Sequence, residues 1–166
     1  MKNLRNVVGL AAVSAALLAG SVTQVASAGT AGVQAASSPR VCYEVENQFG
    51  QWMTKDQGCD GELVAPSGGV HGISITVNGI KQVLYSASPD GVDFFTGDNG
   101  DKVNGGVPTT QLRAALSPRK TRHLEYTVSY DDPANNEEVE ETKRDNKLVG
   151  DGTHVLNTIS IKITNK

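Results

Sequence analysis

The chain alternates apolar and polar residues in short runs, and three of these runs are centred on a tyrosine. Each of these tyrosines has an apolar residue two positions before it and two positions after it. Successive side chains of a β-strand point to opposite faces, so this period of two predicts three strands with one buried face. The three sets are Val41, Tyr43 and Val45; Val83, Tyr85 and Ala87; and Leu124, Tyr126 and Val128.

A second alternating run follows each tyrosine run, after a stretch rich in glycine, asparagine and aspartate. After residue 28 no long stretch has apolar residues at the three- and four-residue spacing of a helix. The pattern therefore predicts an all-β fold. The second runs are Ile73, Ile75 and Val77; Leu112, Ala114 and Leu116; and Ile159, Ile161 and Ile163.

The spacing of the tyrosines indicates an internal repeat, because they are 42 and 41 residues apart. We align a threonine and a following aspartate in each unit as further markers. The third unit is longer by five residues, which we assign to an exposed loop at DDPANNEE, residues 131–138. The aligned pairs are Thr54 and Asp56, Thr96 and Asp98, and Thr142 and Asp145.

One such unit makes a small sheet, and its apolar face would be exposed to water if the unit stood alone. Three units must therefore share a core. We predict three repeats of about 42 residues with pseudo-threefold symmetry. The arrangement is β-prism-like, with a β-trefoil as the alternative. The repeats cover about 41–80, 81–121 and 122–166, within a single domain at 41–166.

The first 28 residues have the features of a signal peptide. Lys2 and Arg5 precede an apolar run at 7–20, and Ala26-Ser27-Ala28 fits a cleavage site. The run of 14 residues is shorter than the roughly 20 that a spanning helix needs. We therefore expect a secreted, extracellular protein with no membrane segment after cleavage, and a flexible linker at 29–40.

The charge of the expected mature chain, residues 29–166, limits its partners. Thirteen basic and eighteen acidic residues leave a formal charge of −5. Nucleic acid needs a basic face, so this balance argues against it. We expect a monomer that binds a glycan, a cell-surface component or another protein.

Two cysteines are present, Cys42 and Cys59. Export to an oxidising compartment predicts a disulfide between them. The closed loop is short, so the bond contributes about 3 kcal/mol in the chain-entropy model.

The sequence offers little that points to catalysis, and we predict no catalytic residue, no metal site and no cofactor. His71, His123 and His154 are far apart, and we expect each to be a polar residue at the surface. Residues 97–106, GDNGDKVNGG, carry oxygen ligands of the kind that calcium prefers. Asn-Gly and Gly-Gly are also typical of tight turns, and we favour the turn.

The aromatic residues are the best candidates for a binding site. Trp52, Phe94 and Phe95 have faces that suit a sugar ring or a peptide, and Asp56 and Asp98 are candidate hydrogen-bond acceptors. The alternative is that Trp52 and Phe94 fill the shared core, since large aromatic side chains favour burial. Alternation along a strand still predicts that one of Phe94 and Phe95 is exposed.

The repeated unit resembles the clostridial hydrophobic W repeat, called ChW. That repeat runs through a tyrosine-bearing strand, a Gly-Trp step, a glycine-rich turn and a final apolar strand. Here Gly50 and Trp52 are separated by Gln51, and Phe94 and Glu140 stand at the tryptophan position in the second and third units. The matching segments are VCYEVENQFGQWMTKDQG with SGGVHGISITV, VLYSASPDGVDFF with NGGVPTTQLRAAL, and LEYTVSYDD with GDGTHVLNTISIKI.

The resemblance implies a secreted or cell-surface protein of a Gram-positive bacterium that acts in binding or adhesion and not as an enzyme. We therefore expect a binding module for a glycan or cell-surface component. The alternative is a secreted structural or inhibitory protein that binds another protein through its loops.

Overall fold

The computed structural model describes residues 38–78, 82–117 and 121–166. The predicted signal peptide and most of the predicted linker lie outside these residues. The described chain forms nine strands: β1 (Val41–Glu46), β2 (Trp52–Cys59), β3 (Gly72–Val77), β4 (Gln82–Ser88), β5 (Phe95–Asp98), β6 (Gln111–Ser117), β7 (Arg122–Asp132), β8 (Glu137–Arg144) and β9 (Leu156–Asn165).

The strands form three antiparallel sheets of three strands each, and every sheet is built from strands that follow one another in sequence. The orders are β2-β1-β3, β5-β4-β6 and β8-β7-β9, so the tyrosine-bearing strand is central in each sheet. The described residues contain no helix, and the predicted all-β fold is confirmed. None of these elements is a helix long and apolar enough to cross a bilayer.

The alternating runs form the core, as the sequence predicts. Each tyrosine lies directly opposite the middle apolar residue of the last strand of its sheet: Tyr43 opposite Ile75, Tyr85 opposite Ala114, and Tyr126 opposite Ile161. All three tyrosines are at most 1% exposed. Of the eighteen residues in the six predicted runs, seventeen are buried, and Ile163 is partly buried against them.

In each sheet a single valine follows the strand that comes second in the chain, which is β2, β5 or β8. This valine pairs with the last strand of another sheet. Val103 pairs with Ile73, Val149 with Leu112, and Val64 with Ile159. The three bridges therefore connect the sheets cyclically. Each is antiparallel with reciprocal backbone hydrogen bonds of 2.9–3.0 Å.

The tyrosine hydroxyls hold these bridging segments in place. Each donates to the backbone carbonyl two residues before the bridging valine, at Glu62, Asp101 and Lys147. Burial raises the pKa of Tyr43 and Tyr85, although hydrogen bonds from the neighbouring strand oppose the shift. Those bonds involve Ile161 and Ser160 for Tyr43, and Ile75 and Ser74 for Tyr85. Both hydroxyls thus contact two sheets.

The predicted disulfide is confirmed. Cys42 of β1 and Cys59 of β2 are direct cross-strand partners with Cα atoms 4.1 Å apart. They lie on the face away from the tyrosine, because Tyr43 is opposite the next residue, Gly58. The bond joins the edge strand of the first sheet to its central strand.

Two details of the sequence alignment are wrong. Thr96 and Thr142 are equivalent, opposite Ser86 and Thr127, but the matching position in the first sheet is Gln57 and not Thr54. The cause is a register shift in β2, which inserts extra residues before Gln57. The aspartate markers are not equivalent either, because Asp98 lies opposite Leu84 while the matching positions in the other sheets are Cys59 and Arg144.

The extra residues of the third unit also differ from the expected loop. Asp131 and Asp132 continue β7, and Glu137 and Glu138 begin β8, so only 133–136 form the turn. The segment is mostly exposed, as expected, but it lengthens a hairpin. Pairing of the backbone evidently outweighs the repulsion between the facing carboxylates.

We predict that Tyr85→Phe lowers the free energy of unfolding by about 1–3 kcal/mol, because it leaves the carbonyl of Asp101 without its hydroxyl donor. Denaturant unfolding followed by circular dichroism measures the change. Thr54→Val, at an exposed site in β2, is the control and should change stability by less than about 0.5 kcal/mol. Equal stability of Tyr85→Phe and the parent would contradict the role of this bond.

We also predict alkaline sensitivity. The raised pKa of Tyr43 and Tyr85 means that folding favours the neutral phenol. Their contribution to stability is therefore complete below about pH 10 and is lost as the pH rises through the folded-state pKa. Absorbance at 295 nm should show tyrosines that ionise at higher pH in the folded protein than in concentrated guanidinium chloride. Coincident titration curves would contradict this.

Candidate functional site

Trp52 occupies the first position of β2, and a bulge decides which face it takes. Gln57 pairs with Glu44 and Trp52 pairs with Glu46, so four residues of β2 lie opposite the single residue Val45. A regular strand would place Trp52 on the same face as Gly58, towards the core. The bulge reverses this and puts the indole on the Glu46 side of the sheet.

Glycine at position 72 leaves room for the indole. Gly72 of β3 is the other cross-strand partner of Glu46, so Trp52, Glu46 and Gly72 form one row across three strands. A Cβ atom at Gly72 would lie 3.2 Å from Cζ2 of Trp52 and 2.9 Å from Oε2 of Glu46. The ring therefore lies across β1 and its edge reaches β3.

Glu46 joins this row to the loop between β5 and β6. Its side chain is only 6% exposed, and Oε2 accepts a hydrogen bond of 2.7 Å from the N–H of Gly106. Asn104 fixes the same loop, since its Nδ2 donates to Thr109 Oγ1 at 2.7 Å and to the carbonyls of Val107 and Pro108. These hydrogen bonds attach the row of Trp52, Glu46 and Gly72 to the β5–β6 loop.

A lysine from the next sheet covers one part of the indole. Nζ of Lys102 lies 4.2 Å from the centre of the Trp52 ring, which is within the range of a cation–π interaction. Phe94 has a similar partner, because the guanidinium carbon of Arg113 lies 4.9 Å from its ring centre. Both rings are partly exposed, and neither belongs to the core cluster. The alternative in which they fill the shared core does not describe this structure.

The five candidate binding residues differ in how far they are exposed to solvent. Phe95 is 49% exposed and Asp98 is also exposed, both on β5. Asp56 is 2% exposed, and its Oδ2 has no hydrogen-bond partner. Its side chain is therefore enclosed by the protein, although it lies in the bulged part of β2. Because a ligand at the surface cannot reach this carboxylate, we leave Asp56 out of the binding surface.

The polar side chains of residues 97–106 bond to the chain itself. Asp101 Oδ2 accepts from the N–H of Asp98 at 2.9 Å, and Asn99 Oδ1 accepts from the N–H of Val77 at 2.7 Å. Within the described ranges no group of three or more histidine, cysteine or acidic residues is arranged to hold a metal ion. These side chains fix the turn and attach it to β3.

Each histidine has a structural partner. His71 Nδ1 lies 3.2 Å from the carbonyl of Gly69, and His123 Nδ1 is paired with Asp145. His154 Nδ1 lies 2.6 Å from Asp151 Oδ2, and its ring stacks on Tyr130 with centroids 6.4 Å apart.

The His154–Asp151 pair was not anticipated from the sequence, although the DGTH spacing is a signal for it. Burial opposes ionisation of Asp151, but the N–H groups of His154 and Thr153 outweigh it and lower the pKa of the carboxyl. Burial, together with the charges of Glu141 and Asp151, raises the pKa of Tyr130. The pair stabilises the turn that leads into β9.

No family model, curated protein or solved structure that was compared with this chain matches it.

We predict that Lys102→Ala makes Trp52 more accessible, because the ammonium group no longer covers the ring. Trp52 is the only tryptophan, so acrylamide quenching of the intrinsic fluorescence reports on this residue alone. Quenching should increase, and the free energy of unfolding should fall by no more than about 1 kcal/mol. Lys55→Ala, at an exposed site on β2, is the control. Unchanged quenching would show that Lys102 does not cover the indole.

Proposed function

We propose that this protein is a secreted, non-catalytic module that binds a glycan through the surface around Trp52. The observation that carries the proposal is the position of the indole. The indole lies outside the core and is partly exposed. It is nevertheless held in place by Gly72 on one strand and by Lys102 from the β5–β6 loop. A fixed aromatic face beside polar groups is the arrangement that sugar rings fit.

Two apolar residues close to Trp52 in the sequence are also exposed. Phe49, in the turn between β1 and β2, is 67% exposed, and Met53 is 39% exposed. We include both side chains in the proposed binding surface.

The turn that carries these groups is fixed before any ligand arrives. Asn47 Oδ1 accepts from the N–H groups of Phe49 and Gln51 at 2.9 and 3.2 Å. The N–H of Gln48 also donates to the carbonyl of Ser67. A preformed surface loses little conformational entropy on binding, which favours affinity.

The roles of the polar residues support a binding protein over an enzyme. The three histidines bond to turns, and Asp101, the acidic residue of the β5–β6 loop, accepts from the backbone. The disulfide is compatible with an extracellular location. Secretion by the signal at 1–28 and attachment to a Gram-positive cell surface are part of the proposal.

We further infer that the three sheets are related by a pseudo-threefold axis in a β-prism-like arrangement, and that the unit is a degenerate ChW repeat. Support comes from the cyclic set of valine bridges and from the three equivalent tyrosine bonds. An axis of this kind would relate Trp52 to Phe94 and Glu140, which leaves the complete aromatic surface in the first repeat.

A glycan array followed by fluorescence titration tests the function. A glycan that binds should change the emission of Trp52. Trp52→Ala removes the only tryptophan, so isothermal titration calorimetry compares the variants, and this substitution should weaken binding by about tenfold or more, near 1.4 kcal/mol. Phe49→Ala should weaken it less. Leu63→Ala is the control, because Leu63 is equally exposed but lies after the end of β2.

The outcomes separate the two classes of ligand. Binding that survives Trp52→Ala unchanged would place the site elsewhere on the protein. If the array gives no signal and a pull-down from cell-surface extract captures one protein in a Trp52-dependent way, glycan recognition is wrong and the alternative of protein binding holds.

A further inference from the structure

β8 is an open edge strand that differs from the other two. The outer strand of the first sheet, β2, carries a bulge and the disulfide, and β5 has only four residues. β8 has eight residues and pairs with β7 in an uninterrupted register from Arg144 to Glu137. Its second edge pairs with no strand among the described residues, so half of its backbone groups are available to another strand.

The charges of β8 are complementary to those of a second copy of the same strand that runs antiparallel to it. Residues 140–144 read Glu-Glu-Thr-Lys-Arg, and antiparallel pairing about the central threonine places an acidic residue opposite a basic one at every step. Every side chain of this segment except that of Glu141 is exposed, and Glu141 is partly exposed. Opposite charges on facing strands stabilise the pairing and like charges oppose it.

We propose that two copies of this chain associate through β8, antiparallel, with a twofold axis at Thr142. Glu140 then faces Arg144 of the second copy, and Glu141 faces Lys143 of the second copy. The two sheets become one sheet of six strands, in the isologous contact that homodimers use. This departs from the monomer that the sequence led us to expect, and it does not depend on the ligand.

The register follows from the faces of the sheet. A twofold axis perpendicular to the sheet keeps each face on its own side, so facing residues must both be even-numbered or both odd-numbered. Moving the axis to residue 140 or 141 places glutamate against glutamate, and moving it to 143 places lysine against lysine. The axis at Thr142 avoids all of these.

An ion-pair row within one copy points to the same register. Glu125 of β7 has Arg144 and Lys162 as its two cross-strand partners and is ion-paired with both. The bond to Lys162 is the larger cause of its lowered pKa, and burial opposes it. Glu140 of the second copy extends this row beyond Arg144, so that lysine, glutamate, arginine and glutamate alternate across four strands.

Sedimentation equilibrium of the whole mature chain, with two charge reversals, tests the proposal. Glu140→Arg and Lys143→Glu each place like charges opposite one another twice per dimer, and each should raise the dimer dissociation constant at least tenfold. Both side chains are exposed, so both variants should fold, as circular dichroism can verify. Lys55→Glu, on the edge strand β2, should leave association unchanged.

A charge exchange and a cross-link test the register itself. Glu141→Lys combined with Lys143→Glu should restore the association that Lys143→Glu loses. Because Glu141→Lys also removes the 3.0 Å hydrogen bond that Glu141 accepts from the N–H of Gly150, Glu141→Gln, which keeps an oxygen acceptor, is combined with Lys143→Gln as a second variant and should associate as the parent does at high salt. Thr142→Cys should form a disulfide between copies, because facing Cα atoms in an antiparallel pair are about 4.5–5.5 Å apart. Glu138→Cys is the matched control, since its two copies lie about 26 Å apart in this register.

Self-association that both reversals weaken, that the exchange restores and that Thr142→Cys traps supports the proposal. A chain that stays monomeric at millimolar concentration overturns it. So does a dimer that ignores the charge reversals, or one in which the exchange fails to restore association or Glu138→Cys cross-links as well as Thr142→Cys.

Discussion

The hydrogen bond from a buried tyrosine hydroxyl to a backbone carbonyl is the interaction on which this structure depends. It occurs once in each sheet and holds the segment whose valine pairs with another sheet. A phenylalanine would fill nearly the same volume but would leave the partly buried carbonyl of Glu62, Asp101 or Lys147 without this donor, which costs stability. The ring of each tyrosine thus packs in the core, and its hydroxyl holds the segment that joins two sheets.

The core faces of the three sheets resemble one another because each must place a tyrosine hydroxyl at this joint. The outer faces of the sheets differ. The position next to the tyrosine pair holds a disulfide in the first sheet, Leu84 opposite Asp98 in the second, and the Glu125–Arg144 ion pair in the third. These three solutions differ in chemistry but occupy the same place in the register. The edge strands differ as well. The proposed glycan site lies on an outer face, and the proposed dimer contact lies on an edge strand.

The candidate site was predictable in its residue types but not in its geometry. Trp52, Phe94 and Phe95 stand out in the sequence, and regular alternation rightly placed one of the two phenylalanines at the surface. The contacts of Lys102 and Gly106 had no sequence signal, because they join segments fifty and sixty residues apart. The bulge that turns Trp52 away from the core interrupts the period of two, so regular alternation could not place the indole. The burial of Asp56 was not anticipated either, because this residue lies in the part of β2 where the bulge interrupts the regular register.

The sequence by itself determined the two apolar strands of each unit, the tyrosine at the middle of the first of them, and the disulfide. These follow from the period of two and from local composition, which a chain carries in every conformation. Only the tertiary structure decided which strand lies at the centre of each sheet, how a valine of one sheet reaches the next, and which face of β2 carries the indole. Such choices depend on pairing between distant segments, and a shift of one residue in that pairing exchanges the buried and exposed faces of a strand.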